Sequence, residues 1–222
     1  MSRLRFFDFA LFSPNKLWLY GRNLPLLLAG TKPFPVSVGD TNLFLRPRTM
    51  DLYVLAENFK DESYDISNRL TQRFVHGQKI NTIVDLGANI GFFSLWAAEK
   101  FSPKKIICVE MDHDNFSILK RNVSSNPHLK AKFTLLNLAI HAKTTTVNYE
   151  VGRVNRGLHA IVEEETGNSV KTITLKNLLK KTNINNIDLL KIDIEETEKL
   201  LLNKENERIF KNNVSRIVME VH

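Results

Sequence analysis

From residue 80 onward, short apolar runs alternate with segments of helical spacing, and this alternation limits what the chain can fold into. "TIVDL" (82–86) reads as a buried strand and "GFFSLWAAEKF" (91–101) as a helix. "KIICVE" (105–110) is the next strand, followed by the helix "HDNFSILKRNVSSN" (113–126) with Asp114 as its expected N-cap. "KFTLLNLAI" (132–140) reads as one strand, and "TVNYEV" (146–151) and "VKTITL" (170–175) as strands of a hairpin or edge joined by the loop 152–169. "LKNLLKKT" (175–182) is a helix, "DLLKIDI" (188–194) a strand, "EETEKLLLNKENERIF" (195–210) one helix, and "RIVMEV" (216–221) a last strand. Strands separated by helices form βαβ units, so a mostly parallel sheet covered on both faces is expected.

The first 48 residues differ in kind. They hold five of the seven prolines, so little regular helix fits, although "NLFLRP" (42–47) reads as a short strand. Beyond them, Thr49 is placed to cap a helix over "MDLYVLAENF", and "DISNRLTQRFV" reads as a second helix ending at Gly77. Residues 1–48 are therefore expected to form a basic, aromatic-rich extension to a domain over 49–222. The charge agrees with that division. Residues 1–50 carry seven Lys and Arg against Asp8 and Asp40, leaving 24 basic and 22 acidic residues for the rest. Such an opening suits an irregular flap packed on the domain, or contact with a membrane surface, a polyanion or another subunit of a homo-oligomer.

No run approaches the roughly 18 apolar residues of a spanning helix, and Asp8 and Pro14 interrupt any secretory pattern. The expectation is a cytoplasmic protein, with peripheral membrane contact open to the extension. Cys108, the single cysteine, sits inside an apolar strand and reads as core. The acidic "MDHD" (111–114) is contiguous and lacks ligand spacing, so no metal is expected.

In a parallel sheet, ligands lie beyond the carboxyl ends of the strands where chain order reverses. The first strand leads into D-L-G-A-N-I-G (85–91), which has neither the G-x-G-x-x-G dinucleotide fingerprint nor the lysine and Ser/Thr of a phosphate loop. The turn suits a neutral or zwitterionic group. The second strand ends in Glu110, and a carboxylate there can accept both hydroxyls of a ribose. Together they suggest an adenosine-type ligand without a 2′-phosphate. Nucleic acid is disfavoured as a partner, because the chain has no Pro-Pro pair for a base-holding loop and its cysteine is unsuited to attack on a pyrimidine. A nicotinamide enzyme is disfavoured by the missing fingerprint.

These segments resemble the S-adenosylmethionine-dependent methyltransferases of the FkbM family. "IVDLGANIGFFSL" is similar to that family's opening motif, and "VEMDHDNFSILKRN" to its second-strand signature with an N-x-x-x-L-x-x-N helix. "NLAI" (137–140), "NRGLHAI" (155–161), "TLKNLL", "DLLKIDIEETE" (188–198) and "MEVH" (219–222) follow in the family's order, and "LRPRTMD" (45–51) resembles the segment before its fold. The resemblance implies a three-layer class I (Rossmann-like) α/β methyltransferase fold binding S-adenosylmethionine. Asp85, Gly87, Asn89 and Gly91 would surround the methionine part of the cofactor. Glu110 would hold the ribose, Met111 would lie beside the adenine, and Asn137 and Leu138 would flank the base edge.

The implied reaction is O-methylation of a small-molecule or glycan hydroxyl. Asp193, at the end of "LLKID", is the first choice for a catalytic acid or base. Glu195 can act there or cap the next helix, and His159 can serve as base or substrate contact, or be a surface loop residue. Glu198 is expected to pair with a lysine on its helix, and Lys191 with Asp193 or Glu220, unless its ammonium reaches the cleft. His222 ends the sequence beside the expected cleft. Three departures stand out, the first altering only the adenine wall and the other two favouring a rival reading, a non-catalytic binding or assembly module. Met111 stands where the family has proline, and Glu196 where it has glycine. The sequence also ends after the fifth strand, so the expected sheet lacks the C-terminal antiparallel pair and exposes that strand.

Overall fold

In the computed structural model of the chain, the described residues are 31–38, 40–49, 51, 54–55, 79–130, 132–151, 159–162, 167–194 and 198–220. Their first elements are a hairpin of β1 (Phe34–Val38) and β2 (Thr41–Leu45). Then follow β3 (Thr82–Leu86), α1 (Phe92–Phe101), β4 (Lys105–Glu110), α2 (His113–Ser124), α3 (Pro127–Lys130) and β5 (Phe133–Asn137). A second set comprises β6 (Ala139–Ile140), β7 (Thr146–Val151), β8 (His159–Val162), β9 (Ser169–Ile173) and α4 (Leu175–Thr182). The last elements are β10 (Leu189–Ile192), α5 (Glu198–Leu201), α6 (Lys204–Asn213) and β11 (Ile217–Met219).

The central sheet runs β11-β10-β3-β4-β5, all parallel. Side chains alternate across it with the period of two that a strand imposes. Ile83, Ile106, Cys108 and Leu189 pack under α1, α2 and the hairpin. Val84, Leu86, Ile107, Val109, Leu190 and Ile192 pack against α4, α5 and α6. The result is the expected three-layer α/β/α, Rossmann-like arrangement. The chain first moves outward from β3 to β5 and later returns to place β10 on β3's other side. Chain order therefore reverses between β3 and β10, the position beyond whose carboxyl ends ligands bind in open α/β sheets. Among the described residues β11 is the outer strand, with Ile217 and Met219 exposed on its outward face.

A smaller mixed sheet, β6-β9-β7-β8, packs Ala139, Tyr149 and Val170 against Met111 at the end of β4. The hairpin is tied to α2 through side-chain amides. Asn126 accepts from the Asn42 amide at 2.9 Å and donates to its carbonyl at 2.7 Å, imitating a strand partner. The Arg121 guanidinium lies over the Phe44 ring at 3.5 Å.

Four local expectations are corrected, and one strand, β1, is found where none was named. The span 132–140 is two strands, because the Asn137 amide donates to the carbonyls of Glu110 and Met111 and the chain turns at Leu138 into the other sheet. The N-cap of α2 is Asp112, whose carboxylate accepts from the Asn115 amide at 2.7 Å, while Asp114 lies in the exposed first turn. The span 195–210 is not one helix, since Asn203 caps a new one by accepting from Asn206. β1 appears inside the proline-rich opening, with Pro35 tolerated in a two-stranded hairpin. The region 152–169, read as loop, contributes β8, so His159 is a strand residue paired with Val151. Most of the two helices expected over 50–77 falls outside the described residues.

Candidate cofactor and active site

The turn between β3 and α1 can be accounted for almost atom by atom. The amides of Gly87 and Ala88 both donate to the Val109 carbonyl, at 2.9 and 3.0 Å, drawing the turn over β4. The Asn89 amide donates to Glu110 Oε2 at 2.7 Å, and the Gly91 amide to the Ala88 carbonyl at 2.8 Å. The Gly87 carbonyl accepts from Lys191 Nζ at 2.9 Å, and the Ile90 carbonyl from Asn122 Nδ2 at 2.8 Å. A turn tied to β4, β10 and α2 is held in one shape before any ligand arrives. Asn89 adopts φ 50°, a left-handed conformation that asparagine tolerates. Its side-chain Oδ1 is buried without a hydrogen-bond partner among the described residues, an acceptor that a donor-bearing ligand would satisfy.

The two glycines are required for different reasons. Gly87 has φ 79°, and a Cβ there would stand 1.7 Å from the Asp193 carbonyl oxygen. Gly91, at φ 93°, caps α1 without a side chain, and a Cβ would meet the tip of Leu119 at 2.6 Å. The backbone that presses on Gly87 is thus the exit of β10, and the glycine admits that strand end to the turn.

Glu110 is buried, and its carboxylate is oriented by two amides, Asn89 on Oε2 and Asp112 on Oε1 at 2.9 Å. Each carboxylate oxygen accepts more than one donor, so a side chain fixed this way suits vicinal hydroxyls. Asn137 lies opposite Glu110 in the sheet register, and Met111 and Leu138 are half-buried beside it. The sites suggested for ribose and base edge are therefore neighbours at the ends of β4 and β5.

Asp85 is drawn inward. It is fully buried, accepts from Ser94 Oγ at 2.6 Å on Oδ2, and lies with Oδ1 3.6 Å from Lys191 Nζ. Burial pushes its carboxyl up, against the pull of the Lys191 ammonium and the Ser94 hydroxyl. Lys191 also donates to Asp193 Oδ2 at 2.9 Å, which settles the sequence alternatives in favour of Asp193 as partner. Ser94 Oγ lies 3.1 Å from Cys108 Sγ, whose thiol burial pushes up, so the cysteine behaves as an inert core group.

Asp193 stands at the carboxyl end of β10 with its side chain 23% exposed. Glu195, Glu196 and His222 fall outside the described residues, and only the backbone of His159 is described. Glu198 is corrected. It is buried and accepts from the Ile194 amide at 3.2 Å. Among the described residues no group of three or more His, Cys, Asp or Glu is arranged to hold a metal ion, and no helix is long and apolar enough to cross a membrane.

Tyr149 escaped the sequence reading, and Asn122 entered it only as the last residue of the N-x-x-x-L-x-x-N motif, with no role given. Tyr149 is buried and reaches across sheets, its hydroxyl donating to Asp112 Oδ2 at 3.3 Å and accepting from the His113 amide at 3.4 Å. Burial pushes its phenol up to about 12, so it stays a donor at neutral pH. Asn122 accepts from the Phe44 amide and donates to Ile90, joining hairpin to turn. Its signal was present, since Asn115, Leu119 and Asn122 fall on one helix face beside apolar Ile118 and Val123. Asn122→Leu is expected to strand two buried backbone groups and lower stability by about 2 kcal/mol or more, read as a fall in the urea midpoint. An unchanged midpoint would show that the hairpin and turn do not depend on it.

Comparison with known proteins follows the same outline. Residues 85–222, more than half of the chain, match the family model described as "Methyltransferase FkbM domain". A curated relative, Methyltransferase sdnD of Sordaria araneosa, is 34% identical over 98 residues, covering 44% of this chain and 35% of the relative. Among solved structures, Methyltransferase FkbM from Methylobacillus flagellatus aligns with TM-score 0.45 and 15% identity, over 64% of this chain and 34% of that one. A SAM-dependent methyltransferase from Agrobacterium tumefaciens aligns with TM-score 0.43 and 10% identity, over 73% and 40%. The chain thus spans about a third of the curated relative's length.

Proposed function

This chain belongs to the FkbM methyltransferase family, and from that premise we propose that it transfers a methyl group from S-adenosylmethionine to a hydroxyl of a small molecule or glycan. The observation that carries the reading is the convergence of three features on adjacent strand ends at the point of reversal. They are the pre-shaped turn 87–91 with its orphaned Asn89 Oδ1, the oriented Glu110 carboxylate, and the half-exposed pair Met111 and Leu138. These residues fit the cofactor's zwitterionic tail, ribose and flat base in that order.

The bound cofactor would supply an electrophilic methyl group, and the protein supplies alignment and exclusion of water. Asp193 is the acid at the strand end beside the turn, so it would orient the acceptor hydroxyl and take its proton as the oxygen–carbon bond forms. Methyl transfer to a hydroxyl releases one proton, and a carboxylate is sufficient to receive it.

Titration calorimetry with S-adenosylmethionine is expected to give saturable binding at one site per chain. Absence of heat at high micromolar cofactor would end the reading. Radiolabelled transfer from methyl-labelled cofactor to a panel of sugars, glycans and simple alcohols then tests the acceptor class. Binding without transfer to any hydroxyl, or transfer only to nitrogen or carbon, would refute O-methylation, and the first outcome would favour the non-catalytic module.

A further inference from the structure

We propose that Lys191 is a positioning residue that locks the turn 87–91 to the exit of β10 and sets the direction in which Asp193 faces. The proposal rests on reading these strand ends as the cofactor site. The starting point is the location of a cation in the middle of an apolar strand. Leu189, Leu190 and Ile192 are all buried, and the Lys191 side chain is 5% exposed. An ammonium there must be paired and hydrogen-bonded to be tolerated, and an apolar residue would serve the sheet as well or better.

The simple account is that Lys191 neutralises buried Asp85, its partner in the β3–β10 register. The distances favour something further. Lys191 Nζ is 3.6 Å from Asp85 Oδ1, beyond hydrogen-bond length, but 2.9 Å from both the Gly87 carbonyl and Asp193 Oδ2. Its two short contacts join the turn after β3 to the segment after β10, across the point where chain order reverses. Those segments already touch, since the Asp193 amide donates to the Leu86 carbonyl at 3.0 Å and Gly87 has no side chain to hold them apart. The lysine adds a charge-assisted tie to that contact. Ser94 on Asp85 extends the cluster to α1, so one buried group of charges fixes β3, α1 and β10 relative to one another.

Removing Lys191 alone leaves Asp85 buried and unpaired, which by itself can unfold the protein. The informative comparison is therefore made in an Asp85→Asn background, where there is no charge left to neutralise at that position. Asp85→Asn and Asp85→Asn/Lys191→Met are compared by thermal melting, by calorimetry with S-adenosylhomocysteine, and by hydrogen exchange of the unliganded proteins. The double variant is expected to melt within about 4 °C of the single one. It should bind at least tenfold more weakly, with faster amide exchange confined to residues 86–91 and 193–194. Lys191→Gln in the same background, which removes the charge but keeps a side-chain amide, carries the comparison if the methionine variant does not fold.

Equal affinity and equal exchange in the two proteins would overturn the proposal and reduce Lys191 to a counter-charge. Failure of the wild-type protein to bind S-adenosylhomocysteine would instead end the cofactor reading. The exchange measurement, made without ligand, would still decide whether Lys191 holds the turn.

Discussion

Gly87→Ala is expected to lower stability by about 3 kcal/mol or more and to abolish measurable S-adenosylmethionine binding. Two costs combine at this position. At φ 79° an L-residue pays roughly 1–2 kcal/mol for the left-handed conformation alone. The larger cost is steric, because the new Cβ would stand 1.7 Å from the Asp193 carbonyl oxygen and 2.8 Å from its carbon. Both are backbone atoms, so no rotamer relieves the clash, and either the turn or the end of β10 must move. Movement breaks the Asp193-to-Leu86 hydrogen bond and the Lys191-to-Gly87 contact together. Gly91→Ala provides the internal comparison. It pays the same left-handed cost at φ 93°, but its Cβ would crowd Leu119 Cδ1, the tip of a flexible side chain, and not backbone, so a loss smaller than that of Gly87→Ala is expected. Urea denaturation and calorimetry of both variants check the order. A Gly87→Ala protein with wild-type midpoint and affinity would show that the turn and β10 are not in contact as described.

That contrast also bears on how much could be read from residues alone. The alternation of strands and helices was legible from 80 onward because buried parallel strands are written as short apolar runs, and β3, β4 and β10 appear where expected. Gly87 and Gly91 were legible as a turn between strand and helix, but not as two different requirements. Which backbone crowds a glycine is set by a strand more than 100 residues later. Lys191 was legible as a buried cation in need of a partner, yet periodicity cannot rank Asp193 over Glu220, since both lie within reach of the same strand end. Asp112 was passed over for Asp114 because each can accept from a first-turn amide. What decides between them is the extended backbone at 112, with φ −74° and ψ 130°. The break after Asn137 was hidden for a similar reason: the run 132–140 is apolar enough to read as one strand, and the turn at Leu138 becomes visible only once β4's carbonyls are placed beside the Asn137 amide. Local patterns specify elements; where one element's end touches another's is a tertiary fact.

Glu110→Gln tests the ribose end of the site and is expected to weaken cofactor binding on the order of 100-fold, about 2.7 kcal/mol. In the native site both carboxylate oxygens accept from backbone amides, Asn89 on one and Asp112 on the other. Glutamine keeps the shape but turns one acceptor into a donor that must face an amide N–H, so one of those contacts becomes repulsive and the charge assistance disappears. Some of the loss would therefore arise without any ligand contact, through distortion of the turn at Asn89. A ligand comparison separates the two contributions. S-adenosylhomocysteine and its 2′-deoxy analogue differ only in a hydroxyl that Glu110 is proposed to accept. If Glu110 receives that hydroxyl, the wild-type protein discriminates between the two more strongly than Glu110→Gln, because the variant keeps a single uncharged acceptor oxygen that the backbone amides also require. If the variant binds both ligands more weakly by the same factor, Glu110 serves the turn alone, and the ribose must be held by some other group at the ends of β4 and β5.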